Sequence, residues 1–169
     1  ERRGRMEKAR RLMRDAKIVA LVLSGGTSME SFTGIRWGTS ERLLTAIIPV
    51  RGTAFMVTPK FEEGRAMEQA TTGPLGADAQ VLAWEEDEDP YALVARGMRE
   101  RGLASGTIGV EETVKFVFQD GIARALPNAR LVSGTPISAG CRMVKDAHEI
   151  ALMDHASAVT LAAYEAAWK

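Results

Sequence analysis

Six aliphatic residues in succession, Ile18-Val19-Ala20-Leu21-Val22-Leu23, stand near the start of the chain. A strand with one wet face alternates apolar with polar side chains, so an unbroken run of this kind has to be covered on both sides. Six residues fall far short of the roughly 18 that a membrane span requires. The run therefore predicts a central strand with packed layers above and below it, which is the signature of an α/β domain. No other apolar run is longer, and no membrane partner is expected.

The flanking sequence supplies those layers. Met6, Ala9, Leu12, Met13 and Ala16 recur at spacings of three and four, one buried helical stripe, with Arg10, Arg11 and Arg14 on a mostly solvated face. Ser24-Gly25-Gly26-Thr27-Ser28 ends the strand as a turn, and residues 44–49 and 54–58 predict a hairpin around Arg51-Gly52. Residues 60–71 are rich in helix formers, and residues 80–84 are another short strand. Asp89 then caps a helix with Pro90 in its first position, Leu93, Val94, Gly97 and Met98 on one face, and Gly102 at its stop. The acidic run 85–89 lies where that helix's dipole favours negative charge, and no metal is assigned to it. Residues 107–110 and 130–132 are further strands. Residues 114–126 fit two patterns: Val114, Phe116 and Phe118 alternate as in a strand, while Val114, Val117, Phe118 and Ile122 suit a helix. Ser133-Gly134-Thr135-Pro136, followed by residues 137–140, comes nearest to a domain boundary. From Asp146 an Ala-rich helix, with Ile150, Met153, Ala156 or Ser157, and Leu161 or Tyr164 on one side, meets no glycine or proline before Lys169.

A chain of 169 residues has room for one domain with a real core, and two would be cramped. Its 22 Lys and Arg balance 22 Asp and Glu, so it lacks the basic excess with which a nucleic-acid binder releases counterions. The single cysteine, Cys141, makes no intrachain disulfide and too small a thiolate set for structural zinc, which predicts a reducing, cytoplasmic setting. Glu1-Arg2-Arg3-Gly4-Arg5 has neither an initiator Met nor an apolar signal core, and the natural start is expected to lie upstream.

The motifs of common active sites are missing. The Ser24-Gly25-Gly26-Thr27-Ser28 turn has some character of a phosphate loop but matches neither the Walker nor the dinucleotide pattern, and no lysine follows where one is needed. His148-Glu149 is not followed by the second histidine of a zinc helix, since Leu152 occupies that position and His155 lies too far along. Cys141 has no histidine close in sequence and reads as inert packing. Ser105-Gly106 lacks the preceding glycine of a nucleophile elbow. No catalytic and no metal-binding residue is assigned.

Three stretches in order nevertheless resemble the amino-terminal domain of the creatinase/prolidase family, the pita-bread metallopeptidases that include Xaa-Pro dipeptidase and Xaa-Pro aminopeptidase. Glu30-Ser31-Phe32-Thr33-Gly34 is similar to an altered asparagine-x-x-tyrosine-leucine-threonine-glycine signature. Ile108-Gly109-Val110-Glu111 is similar to the family's isoleucine-glycine-valine-glutamate strand, and the stretch from Cys141-Arg142-Met143-Val144-Lys145 to Glu149-Ile150 to its arginine-x-isoleucine-lysine-x-x-x-glutamate-isoleucine linker. Leu126-Pro127-Asn128-Ala129-Arg130-Leu131-Val132 fits as well.

The resemblance implies a mixed β-sheet flanked by helices, ribonuclease H-like in outline, over residues 1–140, with 114–126 helical. Residues 141–169 would be the linker and first helix of a pita-bread catalytic domain. That second domain would hold two divalent metals, manganese or cobalt, on ligands beyond Lys169, so this chain alone is expected to be inactive. Its partners would be that catalytic domain, a second copy in a homodimer, and an Xaa-Pro peptide. In the family the loop after threonine-glycine approaches the partner's active site. Here it holds Arg36, suited to a substrate carboxylate, and Trp37, suited to walling off a proline ring, while Phe32 replaces the usual tyrosine. An exposed arginine beside a packed tryptophan is the other reading of the pair. Alternatives at the level of function are a free-standing α/β ligand-binding or interaction domain, or the same domain of an Xaa-Pro aminopeptidase or creatinase-like hydrolase.

Overall fold

The computed structural model describes residues 2–76 and 78–168. Its strands are β1 (Ile18–Ser24), β2 (Thr45–Pro49), β3 (Phe55–Pro59), β4 (Gln80–Trp84), β5 (Thr107–Val110) and β6 (Arg130–Ser133). They form one sheet in the order β4-β3-β2-β1-β5-β6. The expected hairpin joins β2 to β3, with Thr45 opposite Val57 and Ile47 opposite Phe55. Because β2 is antiparallel to both its neighbours and every other pairing is parallel, β2 alone opposes the common direction.

Helices cover both faces, as the aliphatic run requires. They are α1 (Arg2–Asp15), α2 (Thr27–Thr33), α3 (Glu63–Thr72, entered through a 3-10 turn, Lys60–Glu62), α4 (Pro90–Glu100), α5 (Phe116–Ala125), α6 (Thr135–Arg142) and α7 (Ala147–Ala167). On one face Met13, Phe32, Ala66 and Ile137, from α1, α2, α3 and α6, pack with Leu21, Leu23, Ile48 and Met56. On the other, Val94, Met98, Phe118 and Ile122, from α4 and α5, pack with Val22, Ile47, Phe55 and Ile108. Each large side chain so buried contributes roughly 1.5–3 kcal/mol relative to exposure. Alternation along β1 is broken once. Ile18 lies on the side of Leu21, because the pairing with β5 shifts register between Ile18 and Ala20 and resets the parity.

The stretch that fitted two patterns is helical from Phe116 on: Phe118 and Ile122 point inward one turn apart, while Phe116 and Val117 face solvent. The α4 punctuation is as read, since Asp89 Oδ1 accepts from the Tyr91 amide at 2.8 Å and Gly102 takes a left-handed φ of 68°. Two helices had no clear signal. The Ser24-Gly25-Gly26 turn leads at once into α2, which buries Met29 and Phe32 without any side-chain cap. The segment after Gly134 forms α6 with Pro136 in its first turn, and its Cys141 packs in the core, so the expected division after residue 140 falls inside this helix.

A capping box opens α7, Asp146 Oδ1 accepting from the Glu149 amide and Glu149 Oε2 from the Asp146 amide. Over its 21 residues, about 32 Å at 1.5 Å each, no side chain is buried. Glu1 and Lys169, the latter the last position of the expected long helix, lie outside the described residues. No helix among those described is long and apolar enough to cross a membrane.

Candidate functional site

The threonine-glycine pair ends α2 through specific bonds. Thr33 Oγ1 donates to the Met29 carbonyl at 2.6 Å and accepts from the Ile35 amide at 3.1 Å, and Gly34 adopts a left-handed φ of 78°. A side chain at residue 34 would be strained there, and the αL turn throws the following loop across the end of the helix. Ile35 and Trp37 then point into the core while Arg36 points out. The glycines after β1 serve the same loop. A Cβ at Gly25 would stand 2.3 Å from the Gly38 carbonyl oxygen, so Gly25 admits a close backbone approach.

Arg36 lines a cleft of about 900 Å³ that also takes in Arg2, Arg3 and Arg5 of α1, Glu30 of α2, and His148 and Glu149 of α7. Two of its ion pairs are formed. Arg5 Nη2 donates to Glu149 Oε1 at 2.6 Å, its Nη1 donates to both the carbonyl and the hydroxyl of Ser31, and Arg36 Nε donates to Glu30 Oε1 at 2.8 Å. Four arginines facing two glutamates leave a positive excess, which favours an anionic ligand such as a carboxylate. Through Glu149 the first turn of α7 is tied to α1.

Of the three residues singled out in the sequence, Phe32 is fully buried and Trp37 nearly so, and Arg36 alone lines the cleft. The Arg65 guanidinium lies 4.1 Å over the Trp37 ring, a cation–π stack that closes the ring's outer side. Sequence reasoning missed Arg65 and Gln69, whose side chains reach the backbone of Arg36 from α3. Nothing local marks them, because α3 is far from this loop along the chain.

Other chemistry is sparse. Burial, ahead of the opposing pull of Lys8, Arg5 and Arg11, pushes the Cys141 thiol up, away from the thiolate that a nucleophile needs. No group of three or more His, Cys, Asp or Glu side chains comes together among the described residues, so these residues do not fit a two-metal centre.

Residues 5–144 match the family model described as the Creatinase/Prolidase N-terminal domain. Among curated proteins, an uncharacterized peptidase of Schizosaccharomyces pombe is 29% identical over 174 residues, covering 96% of this chain and 36% of its own length. Among solved structures, dipeptidase PepE from Mycobacterium ulcerans is 28% identical with a TM-score of 0.77, over 88% of this chain and 38% of that one. The N-terminal domain of Xaa-Pro dipeptidase from Lactobacillus brevis has a TM-score of 0.69 at 15% identity, a likeness of fold, over 82% of this chain and 98% of that one. The chain thus spans well under half the length of the yeast peptidase and of PepE.

Proposed function

Because the chain belongs to the Creatinase/Prolidase N-terminal domain family, we propose that it is the non-catalytic, N-terminal part of a Xaa-Pro dipeptidase, a hydrolase that cleaves the bond before proline. The likeness to dipeptidase PepE carries this reading, since it extends to sequence as well as fold. In it, residues 1–140 form the supporting domain, and residues 141–169 lead through the end of α6 and through α7 into a catalytic domain. The apolar residues that α7 leaves exposed, among them Leu152, Leu161, Tyr164 and Trp168, support that role, as a following domain would bury them.

The domain's own contribution is to shape the substrate site across a homodimer. Arg36 meets the carboxylate of an Xaa-Pro peptide, while Phe32 and Trp37, packed beneath, set the loop on which it stands. Two divalent metals, manganese or cobalt, belong in this reading to the catalytic domain, where they would activate a water for attack on the scissile carbonyl. A cytoplasmic setting goes with the lone, buried cysteine.

The test is an assay of Xaa-Pro dipeptide hydrolysis by the 169-residue chain and by the product of its full reading frame, each with manganese or cobalt. The longer protein is expected to turn over and the short chain not to. Chelator-sensitive turnover by the pure short chain, or an inactive longer protein, would overturn the reading.

A further inference from the structure

Residue 36 is held at three separate atoms. Its amide donates to Gln69 Oε1 at 2.8 Å, its carbonyl oxygen accepts from Arg65 Nη2 at 3.5 Å, and its Nε donates to Glu30 Oε1 at 2.8 Å. Since the same Arg65 stacks on Trp37, α3 grips the loop on both sides of the Arg36 α-carbon, and α2 grips the near edge of its guanidinium. The outer edge is open. Nη1 and Nη2 take no hydrogen-bond partner among the described residues, and the side chain is 80% exposed.

The backbone contacts of Gln69 and Arg65 fix where the side chain starts, and the fold itself gains little from the Glu30 contact at Nε, because ordering a long side chain costs entropy that an exposed ion pair barely offsets. An arginine fixed at Nε and open at both Nη atoms presents the two-pronged donor that a carboxylate accepts, with part of the ordering already done before binding. We propose that Gln69 and Arg65 are positioning residues that hold Arg36 to receive a carboxylate from outside this chain, the free C-terminus of a dipeptide substrate. The proposal rests on the reading that Arg36 faces substrate, and names the residues through which this chain would tune that contact.

The experiment measures KM for alanyl-proline and for its C-terminal amide with the product of the full reading frame. Arg36→Ala is expected to raise KM for the free acid about ten-fold or more, the scale of one lost charge-assisted hydrogen bond, without raising it for the amide. Gln69→Met, which keeps side-chain length but removes the acceptor, is expected to raise KM for the free acid roughly three- to ten-fold and to spare the amide. Gln69→Glu, which keeps an acceptor oxygen in place, is expected to stay near the parent value. If Arg36→Ala leaves both KM values unchanged, Arg36 does not face substrate and the reading beneath the proposal fails. If Arg36→Ala acts but Gln69→Met does not, or if Gln69→Met affects acid and amide alike, or Gln69→Glu behaves as Gln69→Met, the positioning role is overturned and the Arg36 reading stands. Melting curves of the same variants in the 169-residue chain identify any that fail to fold.

Discussion

Glu111 and Arg142 meet at a single atom. The Ser28 hydroxyl donates to Glu111 Oε1 at 2.6 Å and accepts from Arg142 Nη1 at 3.0 Å. Glu111 is fully buried at the end of β5, and the Thr113 amide and hydroxyl donate to its other oxygen. The glutamate of the strand motif and the arginine of the linker motif are thus parts of one hydrogen-bond network, with the start of α2 between them. A buried carboxyl group needs all its partners, since each one removed leaves polar surface without water to replace it.

Ser28→Ala is therefore expected to destabilise the chain by about 1–3 kcal/mol, the cost of an unsatisfied buried polar group. At this chain length each kcal/mol lowers Tm by roughly 2–4 °C. Thermal melting by circular dichroism checks it, and an unchanged Tm would mean that water reaches Glu111.

Gly25→Ala is expected to cost about 1–3 kcal/mol by overpacking, because the backbone at Gly38, not a flexible side chain, occupies the space of the new Cβ. At Gly26 there is space but a left-handed φ of 137°, so Gly26→Ala strains the backbone without pushing on Gly38. The Trp37 indole N–H resonance should accordingly shift in Gly25→Ala and stay in place in Gly26→Ala.

A pH effect is expected at Glu112. Burial, the largest single influence, pushes its carboxyl up, but its own backbone amide, the Ser138 and Thr135 hydroxyls and Arg142 together outweigh burial and hold it below the ordinary 4.5. A carboxyl with a depressed pKa in the folded state stabilises fully above its unfolded value, and that contribution disappears as pH falls through the folded value. Stability from this contact should hold above about pH 4.5 and be lost below it. Ser138→Ala, which removes the hydroxyl donating to Glu112 Oε2 at 3.0 Å, should return the titration, followed by NMR at the Glu112 carboxyl, toward 4.5.

The bare surface of α7 predicts self-association. Ile150, Leu152, Met153, Val159, Leu161, Tyr164 and Trp168 are all exposed. Sedimentation velocity on the 169-residue chain should show dimers or larger species at high concentration. Truncation after Asp146 should abolish them while the sheet stays folded, at the cost of the Arg5–Glu149 pair. Loss of the fold on truncation would instead make α7 part of this domain.

The sequence by itself determined the elements whose signals are local. The aliphatic run made β1 a strand covered twice, Asp89, Pro90 and Gly102 bracketed α4, and the Ala-rich stretch from Asp146 marked α7, because periodicity, composition and capping act over a few residues. The ordered motifs identified the family and singled out Arg36. Only the tertiary structure decided the rest. Residues 114–126 carried both periods, and packing of Phe118 and Ile122 beneath the sheet selected the helix. Short α2 has no capping side chain, and it forms where burial of Met29 and Phe32 and the Ser28–Glu111 bond reward it. Gln69 reaches the Arg36 amide across 33 positions of sequence, a pairing with no local signature, because it exists only once the sheet has brought α2 and α3 onto the same face.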